Sequence, residues 1–261
     1  MNVEFYHVST FCNDMFLGNP AAVCPLDQWP ADKYLRHIAS ESYLTKTAFL
    51  VKEADHYYVR WFTPLSEVDL CGHSTLAAAH VVYDHKGQTD PAIVFNSRAG
   101  RLGIKKTGDL ITVDLPADEL HHIDITPQMS NWFSAMPVEA FRGKRDYLLV
   151  FPSDGDIVQL KPNLPVIAAL NNTRGVIVTA KGGKMDFVSR FFAPQSGIPE
   201  DPVSGSAHIT LTAYWSARLR KKELKAVQLS GRKGYVECLD LGKRVALSGR
   251  AKTFLVGQIY V

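Results

Sequence analysis

The sequence predicts an α+β protein of two similar β-rich lobes, each wrapping a sheet around its own central helix. Three observations predict it: an internal repeat, a background of short strands, and two apolar runs too long and too even to be strands. The repeat comes first. Residues 59–64, VRWFTP, are echoed by residues 189–194, SRFFAP, with an arginine, two aromatics, a small residue and a proline in step. An acidic loop follows in each half, LSEVDL and QSGIPEDPV, and then a glycine with an apolar run, CGHSTLAAAHVVY and SGSAHITLTAYW. Further on, NSRAGRLGI at 96–104 is answered by SGRKGYVEC at 230–238. The offsets stay near half the chain length, and three echoes in one order point to a duplication.

The strand signals are β-branched and aromatic clusters with turn residues between them. YYVRWF, AIVFN, LGIKK and LITVDLP serve the first half; GVIVTA, DFVSRFF, AVQLS, YVECLDL and RVALSG serve the second. Against them, residues 75–83 are apolar or small on nearly every face, the mark of a helix buried all round. The polar, proline-bounded stretch 114–127 reads as the linker, with His121 and His122 inside it. The expected division is an N-terminal lobe over residues 1–117, which the C-terminal strand at about 250–261 can join, and a C-terminal lobe over 118–250.

Bulk properties remove several classes. The 261 residues are 46% hydrophobic and 21% charged, an ordinary globular balance, and the net charge is +3. The densest basic run, RLRKKELK at 218–225, holds a glutamate and no aromatic, so it reads as a solvated helix end and not as a nucleic-acid groove. The start, MNVEFYHVSTF, has neither a basic leader nor an unbroken apolar core, so no signal peptide is expected, and no apolar run reaches the ~20 residues that span a bilayer. Cys12, Cys24, Cys71 and Cys238 show no CxxC spacing, and no HExxH occurs. Reduced thiols, a cytoplasmic location and no zinc site are expected.

The chemistry gathers at the two glycines. Each ends a loop and opens a helix whose first N–H groups lack intrahelical partners. Ser74 or Ser206 can cap such a helix, and glycine lets another group approach the backbone. Two such N-termini facing each other would hold a carboxylate between them, in an inter-lobe cleft. Proton transfer at the carbon beside that carboxylate needs flanking acid or base groups. Cys71 and His73 lie beside Gly72; Asp201 and Ser206 lie beside Gly205. Each has an ordinary alternative: Cys71 as a small buried hydrophobe, His73 as a cap, Asp201 as a turn residue before proline. His80 and His208, deeper in the runs, read as packing or hydrogen-bonding groups.

Four stretches carry a resemblance over essentially the whole chain: FLGNPAAV at 16–23, IASESYLTKTAFL at 38–50, RWFTPLSEVDLCGHSTLAAAH at 60–80 and SRFFAPQSGIPEDPVSGSAH at 189–208. They resemble the PhzF-type, phenazine-biosynthesis-like isomerase family, related to diaminopimelate epimerase. EDPVSGSAH followed by YWSARLRKKEL is similar to the phenazine-biosynthesis-like-domain proteins of animals. The resemblance implies the diaminopimelate epimerase-like fold, two pseudo-symmetric lobes that are each a β-barrel around a central helix. It also implies no metal or organic cofactor and a homodimer. By position it puts the active-site histidine on His73 with Gly72 supplying backbone, the second-half aspartate on Asp201, a glycine–serine pair on Gly205 and Ser206, and the asparagine of the GNP motif on Asn19. Thr45 takes the place of the serine in the family's LSE motif. The next residue departs: the family's proton-transferring glutamate is here Lys46, so the charge at the site's centre is inverted.

The resulting expectation is a cofactor-independent isomerase or epimerase moving a proton on a small carboxylate-containing metabolite. Lys46, His73 and Asp201 are the catalytic candidates, with Asn19, Thr45, Gly72, Ser204, Gly205 and Ser206 binding substrate. A catalytically altered or inactive binding or interaction protein on the same fold is the alternative. A single-cysteine epimerase using Cys71 is a third reading; a two-thiol epimerase is excluded, because Ser204 stands where the second thiol would be.

Overall fold

The computed structural model describes residues 2–261 and divides into two compact units, Met1–Asp114 with Ser248–Val261, and Leu115–Leu247. The first unit contains β1 (Asn2–Thr10), β2 (Asn19–Leu26), α1 (Asp32–Glu41), β3 (Thr47–Glu53), β4 (His56–Phe62), β5 (Glu67–Val68), α2 (Gly72–His85), β6 (Ala92–Ser97), β7 (Gly100–Thr107) and most of β8 (Leu110–Pro116), which runs past Asp114. The second contains β9 (His121–Ile123), β10 (Glu139–Arg142), β11 (Asp146–Val150), α3 (Asp154–Gln159), α4 (Leu164–Ala168), β12 (Gly175–Lys181), β13 (Phe187–Phe192), α5 (Gly205–Leu219), β14 (Glu223–Gln228), β15 (Gly234–Asp240) and β16 (Arg244–Gly249). The last strand, β17 (Ala251–Tyr260), pairs antiparallel with β1 in the first unit.

The repeat in the sequence is a repeat in the topology. From β1 to β7 the neighbours run β1–β2 antiparallel, β2–β3 parallel, β3–β4 antiparallel, β4–β6 parallel and β6–β7 antiparallel. From β10 to β15 the same series of directions recurs: β10–β11 antiparallel, β11–β12 parallel, β12–β13 antiparallel, β13–β14 parallel and β14–β15 antiparallel. Parallel neighbours cannot be joined by a tight turn and need a crossover, usually helical. Here α2 and α5 are the crossovers of the second parallel pair in each unit, with α1, or α3 and α4, crossing the first.

Burial follows the sequence pattern. In α2 every residue from Gly72 to Tyr83 is buried, against β1, β2, β3 and β17. α5 is buried nearly as evenly, against β11, β14 and β15. By contrast α1 is one-sided: Leu35, Ile38 and Ala39 face Val3, Cys24, Phe49 and Phe62. The echoed arginines make the same contacts in both units. Arg60 donates through Nε and Nη2 to Glu67 at 2.8 and 2.7 Å and lies 5.2 Å from the Phe62 ring centre. Arg190 donates the same way to Glu200 at 2.8 and 2.9 Å and lies 4.9 Å from the Phe192 ring. The acidic loops are therefore tied back to their own strands by bidentate ion pairs.

Three expectations change. The stretch 114–127 is not a free linker: β8 runs to Pro116, and His121 and His122 belong to β9, whose partner is β10. The His122 ring meets Phe141 edge-on at 5.3 Å, packing that polarity alone did not announce. The basic run 218–225 is only partly helical; Arg220 ends α5 in the left-handed region and Glu223 already begins β14. The helix caps are Cys71 and Ser204, one residue before each glycine, and not Ser74 or Ser206.

Candidate functional site

Gly72 and Gly205 are the first residues of α2 and α5, so His73 and Ser206 occupy the same second position, and Cys71 and Ser204 the same cap position. In the first unit Cys71 has extended backbone (φ −145°), and Thr75 returns both its N–H and its hydroxyl to the Cys71 carbonyl at 3.0 and 2.6 Å. The side chains of Cys71 and His73, 7% and 5% exposed, meet with Sγ 3.5 Å from Nδ1. Sγ also lies 3.3 Å from the Ser74 hydroxyl. Burial pushes the Cys71 thiol up, but the His73 charge and hydrogen bond, the Lys46 charge and the Ser74 hydroxyl draw it down, leaving it at about 6. A thiolate beside an imidazole at a helix N-terminus is the arrangement that makes cysteine a base or nucleophile.

Lys46 is half-buried at the entry to β3, where its carbonyl accepts from the Ala22 N–H at 3.0 Å. Thr45 precedes it; among the described residues its buried hydroxyl oxygen has no hydrogen-bond partner. Asn19 opens β2, fully buried, with its carbonyl accepting from the Thr10 hydroxyl at 3.0 Å. Gly18 sets that entry: its φ is +73°, and a Cβ there would stand 2.1 Å from the Thr10 carbonyl oxygen. Only glycine fits.

In the second unit Ser204 caps α5 by accepting from the Ala207 N–H at 3.2 Å, and its hydroxyl lies 3.1 Å from that of Ser206. His208 Nδ1 donates to the Ser204 carbonyl at 2.7 Å, so the ring is a neutral packing group; burial lowers it to about 4. Fully buried Gln228 ties the loop down. Its Oε1 accepts from the Ser204 N–H at 2.9 Å, and its Nε2 donates to the carbonyl of half-buried Asp201. The Asp201 N–H in turn donates to the Phe191 carbonyl at 2.9 Å.

The structure thus brings Cys71, His73 and Gly72 together, with the Lys46 charge acting on the thiol, and separately gathers Ser204, Gly205 and Ser206 with Asp201 on a shared scaffold. Sequence reasoning missed three groups. Gln228 lies in a strand with nothing to mark it. Arg174 donates from Nη1 to the Ser206 hydroxyl at 2.6 Å, and Asp146 pairs with Arg174; a cation directly ahead of the strand in each half, Lys46 and Arg174, was the available signal. A cavity of about 530 Å³ in the first unit, walled by Val3, Leu26, Leu50, Lys52, Tyr57 and Lys86, contains none of the candidate residues. Among the described residues no three His, Cys, Asp or Glu side chains are grouped to hold a metal ion, and no helix is long and apolar enough to cross a membrane.

Comparison with known proteins gives the family and the fold. The family model for phenazine biosynthesis-like protein matches residues 8–257. An uncharacterized isomerase of Pseudomonas aeruginosa is 40% identical over 259 residues, covering 99% of both chains. The crystal structure of a phenazine biosynthesis protein of the PhzF family from Enterococcus faecalis superposes with a TM-score of 0.97 at 39% identity, covering 100% of each chain. A hydroxyproline epimerase from Agrobacterium vitis, with bound trans-4-hydroxy-L-proline, shares the fold at 12% identity and a TM-score of 0.64, over 99% of this chain and 92% of its own. The diaminopimelate epimerase-like architecture is therefore the fold of this protein, and the chain belongs to the PhzC-PhzF family of phenazine biosynthesis-like proteins.

Proposed function

We propose that this protein is an isomerase or epimerase that moves a proton on a small carboxylate-bearing metabolite without a cofactor, in the inter-lobe cleft expected from the sequence. The observation that carries the reading is the His73 imidazole 3.5 Å from the Cys71 thiol at the head of a fully buried helix, in a family whose similar members are named isomerases. His73 and Asp201 exchange the proton. Lys46 supplies positive charge to the carbanion-like transition state, where a preorganised cation is worth most. Gly72 and Gly205 lend backbone N–H groups to the substrate's acid group, and Ser204, Ser206 and Asn19 line it. The Thr45 hydroxyl gains in the complex the partner it lacks, which removes a desolvation cost.

A second reading is favoured by one specific observation. Against burial, the His73 charge and hydrogen bond, with a smaller contribution from the Lys46 charge, draw the Cys71 thiol to about 6. With the family glutamate there the contribution from position 46 would oppose the thiolate instead of favouring it. On this reading the base has moved from residue 46 to Cys71. The reading of a binding or interaction protein without turnover is the remaining alternative.

The test is deuterium wash-in from heavy water across a panel of small carboxylic acids. Exchange in the wild type that His73→Asn abolishes supports the isomerase; exchange lost in Cys71→Ser assigns the thiol as base. Exchange that appears only in Lys46→Glu assigns the chain as an altered relative that no longer turns over. Full exchange in both His73→Asn and Cys71→Ser would refute the site.

A further inference from the structure

The second unit carries a cation that the reading above leaves without a role. Arg174 is the residue before β12, and its side chain is 27% exposed. Its Nε donates to Asp146 Oδ1 at 3.0 Å and its Nη2 to Oδ2 of the same carboxylate. The Asp146 side chain is 2% exposed and stands at the first position of β11, directly opposite Gly175 across a parallel ladder, so the sheet register itself sets the pair. The guanidinium lies 5.0 Å from the Phe191 ring centre, and its Nη1 donates to the Ser206 hydroxyl in the first turn of α5. Burial raises the Asp146 carboxyl while the Arg174 charge opposes it, so neither member is stable in that position alone.

The placement is unusual. A guanidinium beside the positive end of a helix dipole is repelled by it. Its compensating carboxylate is buried at the start of β11, one of the strands α5 packs against. Asp146 holds the fork in one orientation while Nη1 is presented with the Ser206 hydroxyl at the head of α5. The first unit repeats the location, with Lys46 immediately ahead of β3, and there the charge acts on the Cys71 thiol.

We infer that Arg174, held in position by Asp146, binds the substrate's carboxylate at the head of α5 and thereby selects planar anions over neutral isosteres. This rests on the proposed isomerase reading for what the substrate is. Asp146 takes the Nε–Nη2 fork, so Nη1, beside the Ser206 hydroxyl, is the charged donor offered to a carboxylate at this helix end.

Benzoate and its neutral isostere benzamide are suitable probes, with binding followed by calorimetry on the full chain. Arg174→Gln alone strands a buried carboxylate and can unfold the protein, so the test uses Arg174→Lys and the double variant Asp146→Asn/Arg174→Gln, which removes both charges together. Circular dichroism verifies the fold. Benzoate affinity is expected to fall about tenfold to a hundredfold in the double variant, the worth of one charge-assisted hydrogen bond. The Lys variant should be intermediate, and benzamide binding should be the same in all three proteins. Wild-type benzoate affinity retained in the folded double variant, or a wild type that binds neither probe, overturns the inference. In the wash-in assay the double variant should raise KM with kcat within a few-fold. Benzoate binding lost in the double variant, with no wash-in by the wild type for any acid, keeps Arg174 and removes the isomerase reading. Wash-in with unchanged KM in the double variant removes Arg174 and keeps the isomerase.

Discussion

The heads of α2 and α5 are the same backbone built twice and given different chemistry. Both follow a strand whose arginine grips a loop glutamate, both open on a glycine, and both bury a crossover helix. At the cap position one has a thiol and the other a hydroxyl; at the second helical position one has an imidazole and the other a hydroxyl. The hydroxyl of Ser204 satisfies an N–H of its own helix. Cys71, by contrast, spends its side chain on His73 and Ser74. The difference teaches where labour is divided. The first unit holds a thiol that titrates at about 6 against an imidazole, and the second holds groups that donate hydrogen bonds and fixed positive charge.

The largest expected effect breaks the first head. His73→Asn removes the proton carrier and should lower the wash-in rate by about 10²–10⁴-fold, the usual worth of a positioned acid or base. Ser206→Ala at the matching place should lower it by only about tenfold, since one neutral hydrogen bond is lost. Equal losses would dissolve the asymmetry.

The two arginine clamps sharpen the comparison through stability. Arg190 also donates to the carbonyls of Ile157 and Leu160, at 3.1 and 2.8 Å, whereas the third partner of Arg60 is the exposed Asp32 at 2.9 Å. Arg190→Met should therefore cost about 3 kcal/mol in urea unfolding, because buried acceptors are stranded, and Arg60→Met about 1 kcal/mol.

The caps give the smallest effect. Ser204→Ala should cost about 1 kcal/mol, the ordinary value of a lost cap. Cys71→Ser installs in the first unit the residue that the second unit uses. It should be at least as stable as wild type at pH 6, since a hydroxyl there can cap α2.

That variant also exposes a pH dependence. The folded Cys71 thiol, at about 6, lies below its ordinary value near 9. Between those values the unfolded chain binds more protons than the folded one, so stability rises with pH. The contribution is full above about 9 and is lost as pH falls through about 6. The stability difference between wild type and Cys71→Ser should shift towards wild type from pH 6 to 9 in thermal melts; a flat difference would remove the charge from Cys71.

Much of this was legible in the sequence, because duplication writes itself in landmarks that cannot drift. The arginine–aromatic–proline echo became two clamps that grip a glutamate in the same bidentate way, and the apolar runs became α2 and α5 because a helix buried on every face leaves no polar stripe. What was illegible depended on register. Asp146 and Arg174 are 28 residues apart and meet only because β11 and β12 pair in parallel with Asp146 opposite Gly175. Gln228 acts through a loop that its strand merely passes. His121 and His122 read as linker because β9 is three residues long, too short for an alternating pattern to show. The caps were misplaced by three residues in α2 and by two in α5, since the glycines themselves are helical.

The most direct measurement is the ionisation of Cys71, followed by thiolate absorbance against pH with Cys71→Ser as the blank. A midpoint near 6 that rises in Lys46→Glu and in His73→Asn is the predicted result. A midpoint near the ordinary thiol value, unmoved by either substitution, would contradict the claim that the first unit holds a charged thiol–imidazole pair.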